Sequence, residues 1–300
     1  MKFEQLFGGF ASAVVALSVA GCGSSSNNQL DEYDGQDADS TVIVSSETVD
    51  MIQNISSPVE MANEIKGSGV QFQQSILNAA GNENKYETHF KKAANLGVYS
   101  ADLGYINTFN KNTVVVDYLS SIKRLADGIG VGQFFDFTTL SNLAKNSTNL
   151  DSLKQIAVSS FNNIDLYLRE GNRSNVSTAI VLGTWVEGIY ITCSVIEQTK
   201  DKGLTDRLAE QKKIVDILQI VVNTYSRTDA DFKTMAQLIG ELKEIYKDVR
   251  ITTEIGEPVF EEVDGMIVIK QNDITTLDYT PEQIASVISK VKDIREFIVK

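Results

Sequence analysis

The chain has 300 residues, 42% of them hydrophobic, with three prolines, two cysteines and one histidine. Its formal net charge is −13, which argues against nucleic acid as a partner, since phosphate backbones are bound by clustered Lys and Arg. Two cysteines exclude a disulfide framework, and the apolar content suffices for a sizeable core in one large domain or two small ones.

The first residues have the parts of a secretory signal. Lys2 gives a weakly positive start, offset by Glu4, and Phe7 to Ala20 is apolar but short for crossing a bilayer. Small residues then lead to a cysteine in the string Val19-Ala20-Gly21-Cys22. This string resembles the lipobox of bacterial lipoproteins. The resemblance implies that residues 1–21 are a signal peptide and that Cys22 is lipidated and begins the mature chain. Stable anchoring takes more than one acyl chain, and a lipoprotein cysteine carries several.

Residues 22–45 read as a flexible acidic tether. Gly23 to Gln29 is low in complexity, and seven acids with no Lys or Arg lie between Cys22 and Asp50, more than half of the net charge. The acids are dispersed and lack the Asp/Gly pattern of a calcium loop, so a self-repelling spacer is preferred to a cation site or sorting signal. Thr41 to Val44 is a brief β-like run. Asp39-Ser40-Thr41 looks like the short O-glycosylation acceptor of some Bacteroidetes, with Ser40 as the acceptor. With Cys22 lipidated, Cys193 has no partner and reads as a small buried hydrophobe.

Residues 46–300 read as a helical domain. Ser57-Pro58-Val59-Glu60 combines an N-cap, a first-turn proline and a capping-box acid, and Gly67 and Gly69 interrupt the helix that it opens. Helical patterns run over about 84–110, 114–129 and 133–145. Thr148 caps an amphipathic helix with Phe161, Ile164 and Leu168 on its stripe, stopped by Gly171. Leu204 to Tyr225 forms nearly a heptad seam with Gln211 as its gap, and Thr228 caps the next helix. In the subregion 250–279, Val259–Val263 and Met266–Lys270 flank Asp264-Gly265 as a β-hairpin. Thr280-Pro281-Glu282-Gln283 then opens a last helix. The expected fold is mainly α, an antiparallel multi-helix bundle with a short C-terminal β-hairpin and a final helix.

In the middle of this domain, Ala179 to Ile196 is apolar with a single charge, Glu187. Its length would permit a membrane span. A helix buried all round is preferred, because a central Glu, Thr184, Thr192 and two glycines are costly in lipid. Gly183 and Gly188 suggest close approach of another helix, or room beside Glu187. Three readings of Glu187 stand, in falling order: a core carboxylate satisfied by a facing side chain, a ligand-binding group in a pocket with Trp185 and Tyr190, or a catalytic group.

Catalytic motifs for metal hydrolysis, thiol redox, acyl transfer and nucleotide binding are missing. His89 stands alone, and no metal site or cofactor is expected. The whole chain resembles helical lipoproteins of Bacteroidetes envelopes, in its lipobox, polar tether and Gly183-Thr184-Trp185-Val186-Glu187-Gly188 helix. That resemblance implies a place in the cell envelope and carries no activity with it. The expected partners are the membrane, through Cys22, and an envelope protein, with no nucleic acid. The expected site is the outer membrane, on its periplasmic face, since Gly23-Ser24-Ser25 lacks the acidic cluster of some surface-export signals. The first functional reading is a non-enzymatic interaction or scaffolding module. The second is a ligand-binding lipoprotein with a pocket near Glu187, and the third a carboxylate hydrolase.

Overall fold

Among the described residues, nine α-helices and four short strands follow one another between His89 and Val299. The structure is a computed structural model that describes residues 64–300 apart from 145–149, 264–265 and 271. The expected signal peptide, tether, β-like run at 41–44, Ser57–Glu60 cap, Thr148 cap and Asp264-Gly265 turn lie outside the described residues.

The helices are α1 (His89–Thr108), α2 (Asn112–Gly128), α3 (Phe137–Ala144), α4 (Leu150–Glu170), α5 (Ser174–Thr199), α6 (Lys202–Glu210), α7 (Lys212–Tyr225), α8 (Ala230–Tyr246) and α9 (Pro281–Val299). The starts of α1, α6, α8 and α9 are set by side chains that satisfy otherwise unpaired first-turn N–H groups. Thr88 accepts from the Lys91 N–H at α1, and Asp201 accepts from the Leu204 N–H at α6. At α9, Thr280 and Gln283 bond reciprocally and complete the expected capping box.

Four local expectations change. The pattern over 84–110 is a 3-10 turn at Asn82–Lys85 followed by α1, because Thr88 starts a new helix. The pattern over 133–145 likewise divides into a 3-10 turn at Gly132–Phe134 and α3. Asp229, not Thr228, caps α8: its carboxylate takes the Asp231 and Phe232 N–H groups, while the Thr228 hydroxyl donates back to Tyr225. The seam from Leu204 to Tyr225 breaks at Gln211 into α6 and α7, and both halves bury the expected apolar residues. Gln211 is itself drawn inward, where its carbonyl accepts from the Trp185 indole at 3.0 Å.

α5 is the axis of the core. By length and composition it could cross a membrane, yet 83% of its most apolar window is buried inside the protein. Its tightest neighbour is α1. A Cβ built on Gly183 would overlap the Ala94 carbonyl, and one on Gly97 would overlap the Ile180 carbonyl and crowd the Thr184 N–H. Two glycines facing each other's helix thus allow near-contact of backbones, so Gly183 serves close approach. Cys193 is fully buried and unbridged, and burial pushes its thiol well above the ordinary range.

The strands are β1 (Arg250–Glu254), β2 (Val259–Val263), β3 (Met266–Lys270) and β4 (Ile274–Asp278). β2 pairs with β3 antiparallel, Val263 opposite Met266, in the register of the expected hairpin. The hairpin is longer than its turn signal suggested, for β1 pairs with β4, Arg250 opposite Asp278 and Glu254 opposite Ile274. Both outer strands are rich in β-branched residues. Between the two ladders, Gly256 passes so close to Asn272 that a Cβ there would overlap its carbonyl.

Candidate functional site

The most polar part of the core gathers where α1, α5 and α9 meet the loop after residue 76. On α5, Glu187 and Tyr190 are three residues apart and share a face. Arg295 reaches them from α9. Its Nε donates to Glu187 Oε2 at 2.7 Å and its Nη2 to Oε1 at 2.8 Å, a bidentate pair. The guanidinium carbon lies 4.0 Å from the Tyr190 ring centroid, so the ring face covers the cation. Glu187 has 0% exposure and the Arg295 side chain 13%.

α1 adds a second carboxyl. Asp102 is wholly buried, and its Oδ2 accepts the Asn78 N–H at 3.1 Å. The Asn78 amide continues the network to the Tyr86 hydroxyl at 2.8 Å and to Asn95 at 3.3 Å. Asn95 in turn donates to the Ile298 carbonyl of α9 at 2.8 Å. This chain of bonds ties the loop, α1 and α9 together.

Two acids and one guanidinium cannot all be charged cheaply in a dry core. Asp102 holds its proton more tightly than usual. Burial raises its pKa well above the ordinary value, Glu187's negative charge raises it further, and Arg295 offsets only part. As a carboxylate its Oδ1 has no donor. As a carboxylic acid it donates a hydrogen bond to Glu187. Arg295 keeps its proton more firmly than free arginine. Burial, the largest single influence, opposes its charge, and the charge and hydrogen bonds of Glu187 together with the other neighbouring groups more than offset it.

A raised Asp102 pKa means that folding takes up a proton, so this contribution to stability is complete below the unfolded pKa of about 4. It is lost as pH rises toward the folded value. Asp102→Asn keeps the acceptor for Asn78 and supplies a permanent N–H donor toward Glu187. The variant is expected to be at least as stable as the parent at pH 8 and to lose less stability between pH 5 and pH 8. Urea midpoints at the two pH values check this, and an equal pH dependence in both proteins would contradict a protonated Asp102.

Trp185 does not belong to this cluster. Two residues from Glu187 on α5, it points elsewhere, with its indole on Gln211. The structure therefore brings together Glu187 and Tyr190 and leaves Trp185 apart. Asp102, Arg295, Asn78, Asn95 and Tyr86 were not singled out from sequence. The available signal was polar residues on apolar stripes: Asn95 and Asp102 lie seven apart on α1, and Arg295 lies seven after Ile288 on α9.

His89 is exposed at the first turn of α1. Among the described residues, no group of three or more His, Cys, Asp or Glu is placed to hold a metal ion. No family model, curated protein or solved structure matches the chain.

Proposed function

We propose that the chain is a lipid-anchored protein of the bacterial cell envelope that acts by binding other proteins, as an interaction or scaffolding module without catalysis. Cys22 would carry the acyl chains, and the acidic stretch after it would let the helical domain search near the membrane. The outer membrane, on its periplasmic side, is the proposed location. Membrane lipid and an envelope protein are the proposed partners.

The observation that carries the non-catalytic reading is the state of Glu187. Its two oxygens are both held by Arg295 and it has no exposure to solvent. A substrate or ligand would have to displace a bidentate guanidinium in the core, which is why the ligand-binding and hydrolase readings rank below. The surface, in contrast, carries large exposed apolar side chains on separate elements, among them Leu166, Ile220, Ile255 and Ile274. Affinity capture of the full chain from gently solubilised membranes is expected to return the same envelope protein in repeated preparations. Repeated capture with no specific partner would count against the reading.

A further inference from the structure

Among the described residues the β1–β4 ribbon has two strands, so β1 has an outer edge that no described strand covers. Arg250, Thr252, Thr253 and Glu254 are exposed and Ile251 is half-buried. Among the described residues no backbone hydrogen bond reaches β1 except from β4. β4 is held to the helical body, since the Tyr279 hydroxyl just beyond it donates to Asp206 of α6 at 2.5 Å. An unpaired edge is a template for another strand, and a two-stranded ribbon alone is marginal in water.

The order of residues on β1 says which strand fits. Antiparallel pairing of β1 with a second β1, centred on Thr252, sets Arg250 opposite Glu254 and Ile251 opposite Thr253. Neither Arg250 nor Glu254 has an ion-pair partner among the described residues. Extended through the established register, the four strands β4-β1-β1-β4 would carry continuous rows on one face. One row would run Asp278, Arg250, Glu254, Ile274, with charges alternating over its first three places. The central row would be four threonines, Thr276 and Thr252 from each copy. The other outer edge lacks this match: β4 paired with itself about Thr276 would set Ile274 against Asp278.

We propose that β1 is a self-association edge, and that its occupant is β1 of a second copy of this chain, antiparallel and centred on Thr252. This deepens the interaction reading above by naming a partner, and it fails separately. A chain that does not self-pair can still capture a different protein.

The test is Thr252→Cys in the full chain, oxidised in membranes and compared with the unchanged chain and with Thr276→Cys. Facing residues in an antiparallel pair have Cα atoms about 4.5–5.5 Å apart, within disulfide range. Two Thr276 positions would lie three strand spacings apart, roughly 14 Å, too far to bridge. A disulfide dimer is expected for Thr252→Cys and not for Thr276→Cys or the unchanged chain. Adding Glu254→Arg should cut that yield at least fivefold by facing Arg with Arg, and adding Arg250→Glu as well should restore it. No dimer at Thr252→Cys, an equal dimer at Thr276→Cys, a cross-link to a different protein instead, or no rescue by the double swap would each overturn the proposal.

Discussion

Gly183→Ala is expected to destabilise the protein by about 3 kcal/mol or more, beyond the usual 1–3 kcal/mol of an overpacked core. The added methyl would overlap the Ala94 carbonyl, a backbone atom that cannot rotate away. α1 and α5 would have to separate along the core's tightest crossing, and every side chain packed across that crossing would lose contact. Gly97→Ala meets Ile180 and Thr184 from the opposite side and should behave alike. Because both methyls open the same crossing, the double variant should cost less than the two losses added. Gly104→Ala on the same helix α1 is the control, since a Cβ there meets nothing within 4 Å. It should gain up to about 1 kcal/mol from helix propensity. Urea unfolding of the three single variants measures the contrast, and equal costs at Gly183 and Gly104 would refute the close crossing.

Arg295→Met is expected to cost about 3–5 kcal/mol, the usual penalty for removing one partner of a buried ion pair. It would leave the Glu187 carboxylate in the core with no cation, beside Asp102. The cost should fall sharply in Glu187→Leu/Arg295→Met, because replacing both partners by apolar groups is often neutral or favourable. A double-mutant cycle by chemical denaturation reads the coupling. A loss below about 1 kcal/mol for Arg295→Met alone would mean that water reaches Glu187, as at exposed pairs.

The helical architecture was legible because most of its helices bury one stripe. Ile284, Ile288, Val291, Ile294 and Ile298 repeat by threes and fours on α9, and all five are buried. Glu187 stood out for a different reason, as the only charge in an apolar segment. Its partner did not, because pairing in space between residues 108 positions apart leaves no periodic trace. Arg295 and Asp102 look from sequence like ordinary charges on amphipathic helices, and only the packing of α1, α5 and α9 turns them inward. The split at Gln211 was hidden likewise. A one-residue break preserves the apolar spacing, so the boundary between α6 and α7 leaves no trace in the stripe. The β1–β4 pairing lacked a turn of its own, since the turn signal belongs to β2 and β3, so its β-branched residues had no local cue for register.

The proposed lipid anchor is the feature on which the proposed location and partner search both depend, and it rests on the string ending at Cys22. The direct measurement is the intact mass of the full chain recovered from membranes of a bacterial host, alongside Cys22→Ser. A lipid anchor predicts a chain that begins at Cys22 and carries the added mass of its acyl groups, with both processing and membrane retention lost in Cys22→Ser. A chain that still begins at Met1, or one cleaved elsewhere without acyl mass, would contradict it.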